Sequence, residues 1–545
     1  MAQKTKHLII LFLLGIAAFF VHNKVILADI MESRNIITAR EMVYQGHWIV
    51  PTMNGELRLE KPPLPTWIAA GAELLSPDNI GMQRVMAGLA ALLLVYFFYS
   101  LGEELTKKKE YAFISSLILM TSYNIVLMGR TASWDIYCHA FMMGAIYFMI
   151  RALRREGAQW GGFLAAGVCM GLSFMSKGPV SFYALLLPAL LTLPLLGDVH
   201  RRRKLWPILT MILVTVIIGG WWYFLIITFH ADKWDYVMNK ETGAWTNRNV
   251  RPWHYYKTFF LETGVWSLML ITAIFAPIAI SKSKRVPRTT WYTLAWLGAQ
   301  LILLSLLPEK KKRYLLPILM PAAYIMGALI TFWTEKFKEN HLAQGQRLLF
   351  KMNAYLISCI VAILPILGYV FLVRRGLVPL WQIILLAILM WGIAVYLFKS
   401  TKQEKPNRLV YGVAALFLVI ECFVMPYIGG LVNNPEFKSI GETRHIEALQ
   451  PLPYLAMPDE PVRIEFVYEM HKEIHNLPAA DLKTLQAKAP FVLMTHKPLE
   501  ETLPDSVINQ LNCTHIGFYD NNRRPRSDKH HSKTFEYYVT LIKNK

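Results

Sequence analysis

A chain of 545 residues with 54% apolar side chains and a mean hydropathy of +0.33 carries more apolar surface than a soluble fold of that size buries, which points to a protein with many membrane spans. Its formal charge of +20 (57 Lys and Arg against 37 Asp and Glu) lies in short basic runs between apolar segments, as in a positive-inside membrane protein and unlike a nucleic-acid surface. Of the five cysteines, Cys138, Cys169, Cys359 and Cys422 fall in apolar segments and only Cys513 in polar sequence, so neither a disulfide framework nor a cysteine zinc site is indicated.

Lys4 and Lys6 precede an apolar run near 8–28 that is long for a signal-peptide core and lacks a small-residue cleavage site, so it reads as a retained first span. A charged loop follows from Met31 to Trp67, with Glu32, Arg34, Arg40, Glu41, Glu56, Arg58, Glu60 and Lys61. Its apolar residues Ile36, Ile37, Met42 and Val43 recur at helical spacing, which predicts an amphipathic element lying along the membrane surface. Pro62 and Pro63 stop any helix just after Glu60-Lys61 and hold that pair in a turn.

Apolar segments of spanning length recur near 81–101, 110–129, 134–152, 160–176, 179–197, 205–229, 258–280, 290–307, 314–334, 352–373, 379–398 and 408–432, making about thirteen spans at roughly 20 residues each. With a cytoplasmic N-terminus every second loop is basic: Lys107–Lys109; Arg151, Arg154 and Arg155; Arg201–Lys204; Lys282, Lys284, Arg285 and Arg288; Lys336 and Lys338; Lys399, Lys402 and Lys405. The opposite face then carries the Met31–Trp67 loop, the Arg130–Asp135 turn, Lys177-Gly178-Pro179, the 230–257 loop and Pro308–Tyr314. Lys310, Lys311, Lys312 and Arg313 break the charge rule there, which suggests a local anionic ligand; the alternative is compensation by Glu309 and snorkelling side chains. Arg374 and Arg375 form a smaller exception, read as snorkelling.

From about Asn434 the chain turns polar. β-rich runs at Val462–Val467, Phe491–Thr495, His515–Tyr519 and Phe535–Ile542 alternate with helix-like stretches near 479–488 and 499–511, which predicts a small α/β domain of about a hundred residues outside the cytoplasm. His530 and His531, beside Arg523, Arg524 and Arg526, read as solvated loop residues. No long internal repeat supports a transporter.

The pattern E-S-R-N-x5-E-M-x3-G-x-W-x2-P-x3-G-x4-E-K-P-P-L-x2-W resembles the first extracytoplasmic loop of the lipid-donor (GT-C) glycosyltransferases. It is closest to the aminoarabinose-transferase branch and related to the protein O-mannosyltransferases. Arg130…Asp135, S-K-G-P at 176–179 and K-R-Y-x2-P at 312–317 extend the resemblance over the first 330 residues or so; E-K-P-P-L is its most specific part. The resemblance implies an α-helical polytopic membrane domain over 1–433, with an extracytoplasmic juxtamembrane catalytic loop over 31–78, and a C-terminal α/β soluble domain over 434–545.

It further implies transfer of a sugar from a polyprenyl-phosphate donor to an acceptor on the outer side of the membrane. Elementary chemistry agrees: breaking a glycosyl–phosphate bond leaves an anionic lipid phosphate, and fixed cations aimed at that charge lower the barrier. Lys61 and Lys177 match the family's phosphate-side lysines, Arg313 and Tyr314 stand where it completes the pocket, and Arg34 is placed for phosphate or acceptor charge. Glu60 matches a carboxylate implicated in contact with a divalent metal ion, for which Glu241 is the candidate second ligand. Where relatives often have a histidine, Asn239-Lys240-Glu241 stands, and one carboxylate with a distant partner is a weak divalent site. The family usually opens its loop with an acidic pair; here Met31 takes the first place and leaves Glu32 as the candidate base if the acceptor is a hydroxyl. Asp135 is a positioning or catalytic acid, with Arg130 its expected partner.

The implied protein is an inner-membrane glycosyltransferase acting on an extracytoplasmic glycolipid such as lipid A. Transfer to a protein hydroxyl is the alternative within enzymes, and a lipid-linked-sugar flippase the alternative outside them.

Overall fold

Inside a bilayer a backbone N–H or C=O has no water to bond, so each apolar run closes its hydrogen bonds within a helix. The computed structural model describes residues 2–200, 203–281, 286–432 and 434–545. Arg201, Arg202, Lys282, Lys284 and Arg285 of the expected basic loops, and Asn433 at the expected domain limit, lie outside the described residues. Among the described residues, nine helices are long and apolar enough to cross a membrane. Lys109–Met120 and Tyr123–Gly129, bent by 71° at a break, make a tenth if counted as one span. The other three expected spans form the helices Trp160–Lys177, Phe182–Leu196 and Arg288–Leu306, which do not reach that length and apolarity together. By this measure nine or ten of the thirteen expected spans are long and apolar enough among the described residues.

The chain divides into two compact units. The first takes Met1–Asn23, Leu59–Ile68 and Gly81–Pro426. Its interior holds Trp134, Trp222, Trp266, Trp296 and Trp333, fully buried. Indole N–H groups find partners: Trp266 donates to Thr121 Oγ1 at 2.9 Å and Trp296 to the Leu185 carbonyl at 3.3 Å. The segment G-V-C-M-G places Gly167 and Gly171 four apart on the Trp160–Lys177 helix, facing Leu205–Phe229. A Cβ at Gly167 would stand 2.6 Å from the Met211 carbonyl oxygen, and one at Gly171 would stand 2.6 Å from Ile218 Cβ. Small residues at this spacing let two backbones approach. They fix the height and rotation of the helix that ends in Lys177.

The second unit takes Lys24–Arg58, Ala69–Ile80 and Tyr427–Lys545. The charged loop begins there as the Ile30–Gln45 helix, started by a capping box: Asp29 Oδ1 accepts from Glu32 N at 2.8 Å, and Asp29 N donates to Glu32 Oε2 at 3.3 Å. Gly46 ends it in the left-handed conformation at φ +80°. The apolar face expected against the membrane surface is used differently. Ile36, Ile37 and Met42 are buried, and Ile37 joins one core with Ile440, Phe466, Val467 and Met470. Protein contact, available only once the distant C-terminal segment has folded, replaces lipid. Asn54-Gly55 then turns a short hairpin of Thr52–Met53 on Glu56–Leu57.

The C-terminal part is a five-stranded mixed sheet. Tyr454–Ala456 lies between Ile474–Asn476 and Phe491–Thr495, parallel to both; Glu536–Asn544 runs antiparallel to Phe491–Thr495 and to Leu511–Asp520. The run Val462–Val467, expected as a strand, falls largely in the helix Ile464–Met470, which buries Phe466, Val467 and Met470 at i, i+1 and i+4. Tertiary packing overrides its β-branched composition. The strands Tyr454–Ala456 and Ile474–Asn476, three residues each, are too short for alternation to reveal.

Candidate active site

Two helix ends meet at the centre of the candidate site. Asp135 occupies the first turn of Trp134–Leu153, where the helix dipole favours an anion, and Lys177 the last residue of Trp160–Lys177, where it favours a cation. Gly178, at φ +65°, ends the second helix, and a Cβ there would press on the Tyr223 hydroxyl at 3.1 Å. Lys177 Nζ donates to Asp135 Oδ1, and both residues are buried. The sequence expectation that Arg130 pairs with Asp135 is corrected here. Arg130 Nη1 instead donates to Glu421 Oε2 at 2.6 Å and to the Ala18 carbonyl at 2.7 Å, bracing the helices that carry them. Lys177, far away in sequence, supplies the charge that a buried aspartate requires.

The segment Pro308–Tyr314 closes over this pair. The Tyr314 hydroxyl donates to Glu309 Oε2 at 2.9 Å, and Lys311 Nζ lies 2.6 Å from Glu309 Oε1. Lys177 Nζ and the Arg313 guanidinium each stand 6.0 Å from the centre of the Tyr314 ring, and Lys311 Nζ 5.7 Å from it. The aromatic face thereby gathers three cations. Burial pushes the Glu309 carboxyl up, but hydrogen bonds from Lys311 and Tyr314 and the charges of Lys311 and Arg248 outweigh it, so its pKa falls below the ordinary range. The four cations of this segment therefore divide, with Lys312 exposed and the other three placed as follows. Lys310 donates to the Arg251 carbonyl at 3.0 Å and is buried; Lys311 is held by Glu309. Arg313 keeps a buried Nε with no hydrogen-bond partner among the described residues. Local compensation accounts for two of the cations, Lys310 and Lys311.

Below the pair lies a cavity of about 380 Å³, mostly apolar, lined by Asp135, His139, Tyr183, Glu309 and Tyr314 among others. Glu60 and Lys61 cross-pair with Lys240 and Glu241: Lys61 Nζ lies 3.4 Å from Glu241 Oε2, and Lys240 Nζ 3.6 Å from Glu60 Oε1. Glu60 Oε2 is buried without a hydrogen-bond partner, one free donor atom for an ion. Each carboxylate nevertheless faces a lysine, and no third ligating side chain joins them among the described residues. This donor set does not fit a divalent cation. A group with ligand spacing does occur elsewhere, at Asp520, His531 and Glu536. The Asn522 side-chain amide bridges two of its members: Nδ2 donates to Asp520 Oδ1 at 2.7 Å and lies 3.3 Å from His531 Nε2. His531, expected as solvated, is instead held between the Arg524 carbonyl at 3.0 Å and Glu536 at 3.2 Å.

Glu32 and Arg34 belong to the second unit. Glu32 is buried at the start of its helix; Arg34 presents a buried Nε with no hydrogen-bond partner among the described residues. The same unit holds a cluster that sequence reasoning missed. Asp78 receives Arg40 Nη2 at 3.0 Å, His471 Nε2 at 2.8 Å, and Arg444. His139, also missed, carries a readable signal: D-x-x-x-H puts it on the same helix face as Asp135.

Residues 60–224 match the family model described as dolichyl-phosphate-mannose-protein mannosyltransferase. The chain is 27% identical over 342 residues to the undecaprenyl phosphate-alpha-4-amino-4-deoxy-L-arabinose arabinosyl transferase of Aeromonas hydrophila, covering 60% of this chain and 58% of that one. A similar transferase of Pseudomonas fluorescens is 26% identical over 56% of this chain and 54% of its own length. The chain thus matches less than three-fifths of either relative. In structure it is similar to ArnT from Cupriavidus metallidurans bound to undecaprenyl phosphate, with a TM-score of 0.66 at 14% identity, over 98% of this chain and 97% of that one. It has the fold of that protein.

Proposed function

We infer, for this member of the GT-C superfamily of aminoarabinose-transferase-like proteins, that it transfers a sugar from a polyprenyl-phosphate donor to a glycolipid, lipid A being the acceptor tested first. The sugar on this reading is a pentose, as in the names of the relatives. The enzyme works at the inner membrane, with its site on the extracytoplasmic face.

The observation that carries the reading is the buried Lys177–Asp135 pair under Tyr314, with the Arg313 guanidinium, whose Nε has no hydrogen-bond partner among the described residues, against the same ring. In the reaction the bond between the anomeric carbon and the phosphate oxygen breaks, the electron pair stays on the lipid phosphate, and the acceptor oxygen takes the sugar. Lys177 and Arg313 receive the negative charge, with Lys61 contributing from the Glu60–Lys61 turn. Asp135 holds the Lys177 ammonium in place. A phosphate acceptor needs no base; a hydroxyl acceptor needs one, for which Glu32 is the candidate.

The test is transfer in membranes from undecaprenyl phosphate-linked 4-amino-4-deoxy-L-arabinose, radiolabelled in the sugar. Label in the lipid fraction, lost in Lys61→Ala and Lys177→Ala at unchanged expression, is the expected result. Unchanged transfer in both variants would refute the site. The match of 60–224 to the mannosyltransferase family model favours one second reading, transfer to a protein hydroxyl; label in protein selects it.

A further inference from the structure

His139 is buried to 2% exposure, one turn after Asp135 on the Trp134–Leu153 helix, and lines the cavity of about 380 Å³ below the Lys177–Asp135 pair. The other hydrogen-bonding side chains that line this cavity are engaged. Asp135 accepts from Lys177, and Tyr183 donates to the Leu303 carbonyl at 2.6 Å. Tyr314 donates to Glu309, which also holds Lys311. His139 Nδ1 alone among them has no hydrogen-bond partner among the described residues. A buried polar atom left unsatisfied is unfavourable, so a ligand group that meets it binds with advantage.

The chemistry of that group follows from the imidazole and the walls. A neutral imidazole has one donor and one acceptor nitrogen, and a hydroxyl, being both, satisfies Nδ1 in either tautomer. The remaining lining is mostly apolar and includes Tyr183, Pro179 and Pro317. A molecule with a C–H face and a hydroxylated edge suits such a space, and the volume falls within the range of about 300–1,000 Å³ usual for small-ligand pockets.

We propose that this cavity houses the sugar ring of the lipid-linked donor and that His139 is a specificity residue, hydrogen-bonded through Nδ1 to a ring hydroxyl. The proposal rests on the function inferred above: the phosphate lies at Lys177 and Arg313, and the sugar hangs into the cavity between Asp135 and His139. His139 then contributes to affinity for the sugar and nothing to affinity for the lipid phosphate.

The test compares binding of two probes to the full chain in nanodiscs: undecaprenyl phosphate, and undecaprenyl phosphate bearing 4-amino-4-deoxy-L-arabinose. The wild type is expected to bind the sugar-bearing lipid more tightly than the bare one. His139→Phe, which keeps the bulk of the ring, is expected to remove about three- to tenfold of that preference, the worth of one net hydrogen bond, at unchanged affinity for bare lipid phosphate. His139→Gln, which keeps a donor and an acceptor, is expected to retain part of it. Undiminished affinity for the bare lipid certifies that each variant is folded. Equal binding of both lipids by the wild type, or a full preference in His139→Phe, would overturn the assignment. Binding of neither lipid by the wild type would instead remove the inferred function, and this proposal with it.

Discussion

Lys177 and Asp135 illustrate how a charge pair can be both support and machinery. Each lies at a helix end whose dipole suits it, and each is almost removed from solvent. Deleting one partner leaves the other uncompensated, a loss of about 3–5 kcal/mol in buried pairs. Lys177→Met and Asp135→Asn are each expected to lower the thermal midpoint in detergent, while the double variant recovers most of it and still transfers no sugar. Recovery of transfer together with stability would make the pair purely structural. Glu32 calls for a different separation of roles, because it closes the capping box of its helix. Gln serves in that position of the box nearly as well as Glu. Glu32→Gln is therefore expected to keep the fold and, for a hydroxyl acceptor, to abolish transfer; full activity would assign Glu32 to the cap alone.

At the scale of elements, the helix that ends in Lys177 is placed by contacts well removed from any charge. A methyl group at Gly171 would meet Ile218 at 2.6 Å. Gly171→Ala is expected to destabilise the protein by about 1–3 kcal/mol, as overpacked interiors do, and to reduce transfer by displacing Lys177; activity at the wild-type level would show that the neighbouring helix yields instead. In the second unit, Asp78 ties the Ile30–Gln45 helix to Arg444 and His471. Burial pushes the Asp78 carboxyl up, but hydrogen bonds and charge from His471, Arg444 and Arg40 outweigh it and hold it well below the usual carboxylate range. Burial pushes the His471 imidazole below its ordinary value. Both groups bind protons more weakly folded than unfolded. Their contribution is therefore complete above the unfolded histidine value of about 6.5 and is lost as pH falls, through His471 first and Asp78 last. Asp78→Asn is expected to remove about 1 kcal/mol at neutral pH, allowing for partial exposure. It should also flatten the acid limb of a melting-temperature profile; an unaltered limb would rule out the cluster as its source.

For the whole molecule, the alternation of basic loops predicts which ends of the helices face the cytoplasm, and labelling tests it. In a variant lacking the five native cysteines, a cysteine at Glu56 is expected to react with a membrane-impermeant maleimide on intact spheroplasts. One at Glu156 should react only after permeabilisation. The reverse pattern would put the Glu60–Lys61 turn on the cytoplasmic side and end the inferred mechanism.

Apolar length, the sign of the loops and the E-K-P-P-L motif were enough to read a many-spanning chain that resembles this superfamily, and to single out Lys61, Asp135, Lys177 and Arg313 as candidate residues. These are local signals: spans need consecutive apolar residues, and the motif is contiguous. The partner of Asp135 was not legible, because nearness along the chain favoured Arg130, whereas helix packing brings up Lys177 and sends Arg130 to Glu421. Nor was the use of the Ile36–Ile37 face, since an amphipathic helix suits a lipid surface and a protein core equally well and only a distant segment, Ile464–Met470, decides between them. Pairing and burial depend on contacts across hundreds of residues, and periodicity within a single segment carries no record of them.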